Sequence, residues 1–497
     1  MSRDRYLHLL VFVVGAASLG AEIAVARLMA PFFGASTIVW ANTIGVVLVA
    51  LSVGYWLGGR LGDRYPRLRG LCLLVMGAAL LLAIVPFVAR PFFDVSVSAL
   101  DAVSAGAFVG SLVGVLVLAA VPVILLGACS PYAIRLTVPD VEHSGRIAGR
   151  LYAISTAGSL VGTMIAALAL IPFAGTQRTF LVFALALALV GAAGLGIRFL
   201  AVPIAVGALM ALPVGVVKAP ADGRILYEGE SAVQYIRVVE EPDGDRTLEL
   251  NEGQAVHSLF RPGSYLTGGY WDRILTLPFA ALTRPPQRVA ILGNAAGTIA
   301  RANGRFFPRA QVDGVEIDPK LTEIGIRYFD MDSNPNLSVY NEDARPWLRR
   351  ADGEYDVIVV DAYRQPYIPF YLTTREFFTL VSDRLAPWGI VVVNVGHPEG
   401  SHDLETVIGR TMAEAFSSVL RDPVDDTNTL LAGSEGPASA DRLRAAVDRL
   451  PRPLRPLARR QARAVGPRLP GGSVYTDDRA PVEWLVDRSI LGYAAGR

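Results

Sequence analysis

Cysteine is nearly absent from this 497-residue chain: Cys72 and Cys129 are the only two, and both lie in apolar runs. That excludes a disulfide framework and a CxxC metal site. Histidine is scarce as well. His8, His143, His257, His397 and His402 show no ligand spacing; the last two are five apart in a polar loop, and no metal is expected. There is no excess of either charge, since 46 basic and 45 acidic residues leave a net +1. A global field that would attract nucleic acid is therefore missing. The N-terminus is not read as a cleavable leader, because apolar spans keep recurring after it.

Charge is thinnest from Leu7 to Val217, in a chain that is 52% hydrophobic. A helix needs about 20 apolar residues to cross a bilayer. Seven candidates follow: Leu7–Ala30, Ile38–Leu57, Leu71–Val88, Ala107–Leu126, Leu151–Ile171, Thr179–Ile197 and Ala201–Val217. The expected number of crossings is six to eight, with one segment re-entrant or an extra crossing around Phe92–Leu100. Glycines four apart (Gly54 with Gly58; Gly106 with Gly110 and Gly114; Gly158 with Gly162) are expected to let helices approach closely. Arg60, Arg64, Arg67 and Arg69 in one loop, and Arg135, Arg146 and Arg150 in another, predict cytoplasmic loops in an inner membrane, with the N-terminus inside. Glu22 and Arg27 sit within the first span, where an ionisable group is a functional candidate. Five residues place them about 140° apart round the helix, so each is expected to face a partner on another helix.

Beyond "VVKAPADGR" the mix of charge, Pro and Gly is that of a soluble α/β protein. The expected organisation is a transmembrane helical domain (1–217), a β-rich cap (218–285), a Rossmann-like nucleoside-binding domain (286–435) and an Arg-rich C-terminal segment packed on it (436–497). "ESAVQYIRVVEEPDGDRTLELNEGQAVHSLF" reads as strands either side of an Asp-Gly turn. "QRVAILGNAAGTIARANGRFF" reads as a strand, then Gly293-x-Ala295-x-Gly297, then a helix whose N-terminus suits polar or anionic groups. A second strand ends on Glu316 and Asp318, about 20 residues beyond the glycines, where an acid accepts ribose hydroxyls. "LSVYNEDAR" ends on Asp343 and "YDVIVVDAY" on Asp361. Acids at successive strand ends define one rim of a parallel sheet, the place where doubly wound folds bind ligands. With Asp343 reaching an adenine amine, an adenosyl sulfonium such as S-adenosylmethionine fits better than NAD.

These residues resemble the spermidine synthase (polyamine aminopropyltransferase) family, and the whole chain resembles its membrane-fused bacterial branch. The motifs that carry the resemblance are "ESAVQYIRVVE", "YWDRILTLPF", "ILGNAAGT", "VEID", "EDARPWL", "YDVIVVDAY", "TTREFF" and "YTDDRAPVEWL". The resemblance implies transfer of an aminopropyl group from decarboxylated S-adenosylmethionine to an amine, with no permanently bound cofactor. It places Gln234 and Tyr270 over the thioether and acceptor region. The loop of Gly293, Ala295 and Gly297 would cradle the donor, Glu316 would hold its ribose, and Asp343 with Ala344 its adenine. Asp361 would open the catalytic loop. Two positions depart from the family. The loop acid that faces the aminopropyl ammonium matches Ala296, and the second acid of the D-x-x-D loop matches Arg364. An arginine there costs on the order of 4 kcal/mol against an ammonium 4 Å away at an effective dielectric of 20. Asp272, Asp477 or Asp478 would compensate by folding over the site, and Arg364 would equally suit a carboxylate. Two alternatives stay open: a methyltransferase using intact S-adenosylmethionine, and a transporter or sensor without turnover. The expected partners are a small amine and the lipid bilayer, with a homodimer also compatible. Nine arginines between Arg442 and Arg468 are either a solvated face or a contact for anionic headgroups.

Overall fold

The computed structural model describes residues 2–33, 37–103, 106–138, 144–212, 222–251, 255–363 and 368–486. The chain divides into two units. One holds Met1–Ala219 with Glu228–Tyr235, and the other Pro220–Tyr227 with Ile236–Arg497.

The helical unit comprises α1 (Arg3–Phe33), α2 (Thr37–Arg64), α3 (Leu68–Val103), α4 (Gly106–Thr137) and α5 (Ser144–Ile165), then α6 (Ile171–Ala174), α7 (Thr176–Leu195) and α8 (Ala201–Met210). Six stretches are long and apolar enough to cross a membrane, α5 and α6 counting as one. The seventh expected segment falls short. Its helix α8 has 10 residues, about 15 Å against a hydrocarbon core of about 30 Å, and 213–217 lie outside the described residues. Phe92–Leu100 does not form a separate crossing, because it continues α3.

Glycine sets the helix spacing in two pairs. A Cβ on Gly158 or Gly162 of α5 would stand 2.1 Å from the carbonyl oxygens of Phe12 and Ala16 on α1. On Gly54 and Gly58 of α2 it would meet the carbonyls of Ile124 and Ala128 on α4, at 2.4 and 2.1 Å. Gly114 differs, facing the Phe93 ring. Backbone cannot yield as a side chain can, so Gly162→Leu is expected to cost at least about 2 kcal/mol. Thermal unfolding of the detergent-solubilised chain, with Gly45→Leu as control (nothing lies within 4 Å of its Cβ position), checks this.

The ionisable pair of α1 departs from expectation. The Arg27 guanidinium donates to the carbonyls of Ser231 and Val233 and stands 3.8 Å from Glu230, which also accepts the Thr176 hydroxyl at 2.6 Å. Its partner is thus the non-helical Glu228–Tyr235 segment rather than another helix. Backbone carbonyls that leave a strand edge lack ladder donors, and a long guanidinium satisfies two at once. Glu22 has no such partner among the described residues.

A four-stranded cap has the order β1 (Arg224–Glu230), β2 (Tyr235–Glu240), β3 (Arg246–Leu250), β4 (Val256–Phe260), with β2 to β4 antiparallel and Glu228–Tyr235 grouped with the first unit. Alternate residues Ile236, Val238, Leu248 and Leu250 face one side and pack on Ala296, Leu321, Ile324 and Phe329, as period-two patterning requires. The main sheet contains β5 (Arg288–Leu292), β6 (Gln311–Val315), β7 (Leu337–Tyr340), β8 (Tyr355–Val360), β9 (Leu385–Gly396), β10 (Ser418–Pro423), β11 (Asn428–Ser434) and β12 (Gly466–Pro467), ordered β12-β10-β11-β9-β8-β5-β6-β7. Its helices are α9 (Tyr270–Thr276), α10 (Thr298–Phe306), α11 (Pro319–Phe329), α12 (Ala344–Arg350), α13 (Arg375–Ser382), α14 (Asp403–Met412), α15 (Ala440–Ala446) and α16 (Arg455–Ala464).

β8 is buried at every position, because both faces of this sheet are covered. Val357 and Val359 enter one core with Val289 and Ile291, whereas Ile358 and Val360 enter the other with Leu292 and Val393. Such strands read as continuous apolar runs rather than alternating ones. β5 through β9 pair in parallel along β9-β8-β5-β6-β7. Leu292 pairs with Val315 and Val360, and Val360 with Val393. This register brings the residues just past β5, β6 and β8 to one rim.

Candidate active site

Asp361 is the first residue past β8, and its N–H donates to the Leu292 carbonyl at 2.8 Å. Next to it, Gly293 has φ +93°, and a Cβ there would stand 2.6 Å from the Ala362 Cα. Only glycine permits that approach at that dihedral. The Asp361 carboxylate is held from two sides. Oδ2 accepts the Tyr270 hydroxyl at 3.0 Å from the start of α9, and Oδ1 accepts the Asn394 amide at 2.8 Å from β9. Asn394 is fixed in turn by the Asn428 amide at 2.9 Å. Among the described residues no cation pairs with Asp361. Burial therefore pushes its pKa up to about 7, with the Asn394 and Tyr270 hydrogen bonds acting in the opposite direction. Burial, and then the Asp361 charge, pushes the Tyr270 hydroxyl well above its ordinary range, so it stays a donor.

The loop after β5 turns on itself. Gly293 and Asn294 both donate to the Val315 carbonyl, and Ala295 adopts φ +44°, uncommon for a residue with a Cβ. Its N–H donates to Glu316 Oε2 at 2.8 Å, and the Asp318 N–H donates to Oε1 at 3.0 Å. Glu316 thus braces the loop as well as facing the rim. Burial pushes it up to about 7, against those backbone donors. Gly297, at φ +87°, starts α10. Asp318 caps α11 through the Lys320 N–H. Asp343 caps α12 through the Arg345 N–H at 2.9 Å, and its other oxygen accepts the Tyr371 hydroxyl at 2.7 Å. Ala344 is the first residue of that helix. Asp343 and Glu316 each retain lone pairs for a ligand, but neither is an unengaged carboxylate.

The structure places several of the sequence-predicted residues otherwise. Ala296 is fully buried under the cap, with its N–H donating to the Ser258 hydroxyl at 3.0 Å. An acid there would sit in the cap core, and the partly exposed side chain of this loop is that of Ala295. Asp272 does not fold over the site, because its carboxylate accepts Thr267 N–H and O–H and Gly268 N–H. Asp477 is bound by Arg345 and Thr374, and Asp478 is exposed. Gln234 belongs to the Glu228–Tyr235 segment grouped with the helical unit, where its N–H donates to the Ser231 hydroxyl at 3.0 Å. Arg364 lies outside the described residues. Missed altogether was Asn394, whose signal is a lone amide in the apolar run "IVVVNV". His397 and His402 engage Thr429 and Glu405, and no cluster of three or more His, Cys, Asp or Glu able to hold a metal occurs among the described residues.

Tyr270→Phe removes a hydrogen bond that stabilises ionised Asp361. The Asp361 pKa should then rise, moving the acidic limb of any activity that needs its carboxylate to higher pH. A pH–rate profile that keeps its limb would show that Tyr270 does not act through Asp361.

Residues 269–424 match the model of the spermine/spermidine synthase domain. A probable polyamine aminopropyl transferase of Bifidobacterium longum is 37% identical over 196 residues, 39% of this chain and 43% of that protein. A polyamine aminopropyltransferase of Vibrio vulnificus is 30% identical over 198 residues, 39% of this chain and 66% of that one. The chain thus spans between two-fifths and two-thirds of the length of these relatives. A solved structure of a probable spermidine synthase from Corynebacterium glutamicum aligns with TM-score 0.39 and 22% identity, over 51% of this chain and 98% of that one.

Proposed function

We propose, from the spermine/spermidine synthase domain that this chain carries, that the protein is a membrane-anchored aminopropyltransferase acting on decarboxylated S-adenosylmethionine and an amine. The observation that carries the reading is the Asp361 carboxylate, held by Tyr270 and Asn394 with a pKa near 7. The acceptor must attack as a neutral amine, whereas free amines are protonated at pH 7. Its nitrogen forms a bond to the methylene carbon beside the sulfonium. The carbon–sulfur bond breaks, and its electron pair neutralises the sulfur as methylthioadenosine leaves. The proton shed by the new ammonium passes to Asp361, whose pKa suits a general base near neutrality. Glu316 would take the ribose hydroxyls with its remaining lone pairs, Asp343 the adenine amine beside Ala344, and the loop of Gly293, Ala295 and Gly297 the donor's chain. The resemblance assigns Gln234 to the thioether region, and the charge of Arg364 suits an acceptor carboxylate.

Six crossings return both ends to one side, and the Arg-rich loops make that side cytoplasmic, where S-adenosylmethionine is made. Purified full-length protein, given decarboxylated S-adenosylmethionine and a panel of amines, is expected to release methylthioadenosine. If donor is bound and no amine yields it, the proposal fails. A second reading rests on the loop, which lacks an acid at both Ala295 and Ala296 and so tolerates the carboxylate of intact S-adenosylmethionine. Release of S-adenosylhomocysteine would identify a methyltransferase instead.

A further inference from the structure

The catalytic rim lies at the C-terminal ends of the parallel strands. At the opposite end, just before β5 and β6 begin, there is a cavity of about 370 Å³. Phe279, Phe306 and Phe307 supply its apolar surface, and Pro286, Pro308 and Pro451 line its walls. Proline fixes φ, so the groove is preformed rather than assembled from loose side chains. Four arginines complete the lining, Arg309, Arg449, Arg452 and Arg455, and no acidic residue joins them. Arg449 is pinned by the Thr283 carbonyl and Arg455 by the Leu450 carbonyl, both at 2.9 Å, each through one nitrogen. Arg309 and Arg452 are exposed, and their side chains have no partner among the described residues.

Four like charges beside three phenylalanines are poorly matched to water and to each other. Guanidinium forks fit phosphate oxygens in bidentate fashion, while the phenylalanines suit methylene groups that leave water. A free inorganic anion would use only the rim, and an uncharged acyl chain only the floor. We propose that this groove binds an acidic phospholipid, with its phosphate between Arg309 and Arg452 and its first acyl methylenes against Phe306 and Phe307. The same chain carries six stretches apolar enough to cross a bilayer, so an anionic headgroup is the phosphate such a molecule meets at highest local concentration. The arginines near the C-terminus then have a specific ligand rather than a diffuse surface role. The proposal stands apart from the catalytic reading, since none of these residues reaches the Asp361 rim.

The test titrates full-length protein in neutral detergent with dihexanoyl-phosphatidylglycerol, following thermal stability and bound lipid by native mass spectrometry. Dihexanoyl-phosphatidylcholine and inorganic phosphate run in parallel. Phosphatidylglycerol is expected to raise the midpoint, and Arg309→Gln/Arg452→Gln to weaken its binding by about tenfold or more. Since those side chains hold no partner, the paired variant should melt at the wild-type temperature without lipid. Equal response to phosphatidylcholine would overturn the proposal, as would unchanged affinity in the variant. Inorganic phosphate acting as strongly as the lipid would also overturn it, by showing a soluble-anion site.

Discussion

Asp361→Asn is expected to lower turnover by about 10²–10⁴-fold, the range that a positioned general base contributes. Donor binding should survive, since the side chain keeps its shape and Tyr270 can donate to the new amide oxygen. The pH dependence separates this loss from misfolding. Asp361 is raised from 3.8 to about 7 in the folded chain, so its protonated form is the one folding favours. Its contribution to stability is complete below pH 4 and is lost as pH rises towards 7 and beyond. The asparagine variant carries no such loss, and at pH 8 it should unfold no more easily than wild type while turning over far more slowly. In the wild type, turnover should fall as pH drops through about 7. Glu316 titrates in the same range, but the proposed function gives it the donor's ribose, so its protonation should show in donor affinity. Turnover in Asp361→Asn close to that of wild type would remove Asp361 from the chemistry.

The largest stability effect is expected at Asp422, which is wholly buried. Its carboxylate accepts two guanidinium nitrogens of Arg273 on α9 and the Gln461 amide on α16 at 2.6 Å. Burial raises its pKa, and the Arg273 guanidinium and then the Gln461 amide act in the opposite direction. Asp422→Ala would leave a largely buried guanidinium unpaired, at about 3 kcal/mol. Removing both charges in Asp422→Leu/Arg273→Met should cost clearly less than the two single changes summed, because no orphan ion remains. Thermal unfolding with limited proteolysis across 440–465 measures this. Additive losses would show that the pair is not coupled.

Much of the architecture could be read from local pattern. Apolar runs near 20 residues marked the helical stretches, and four of the glycines (Gly54, Gly58, Gly158, Gly162) do stand where backbones meet. The strand-end acids were legible for a similar reason. Val357 to Val360 are uniformly apolar because both faces of β8 are covered, so the polar residue that follows must stand at the rim.

What failed to show were partners distant in sequence. Asn394 reaches Asp361 from 33 residues away, and Arg27 reaches Ser231 from 204. No periodicity encodes such a meeting, and Asp272 looked available only because its loop contacts at Thr267 and Gly268 require a turn that composition does not specify. Hydrophobic period and run length therefore determined by themselves that this chain joins apolar helices to a doubly wound sheet with acids on one rim. Tertiary structure alone decided which of those acids remain unengaged by cations and which are spent on backbone N–H groups. The reason is physical: burial of apolar surface adds up along the chain, whereas a carboxylate's pKa and role depend on the few donors that packing brings within about 3 Å.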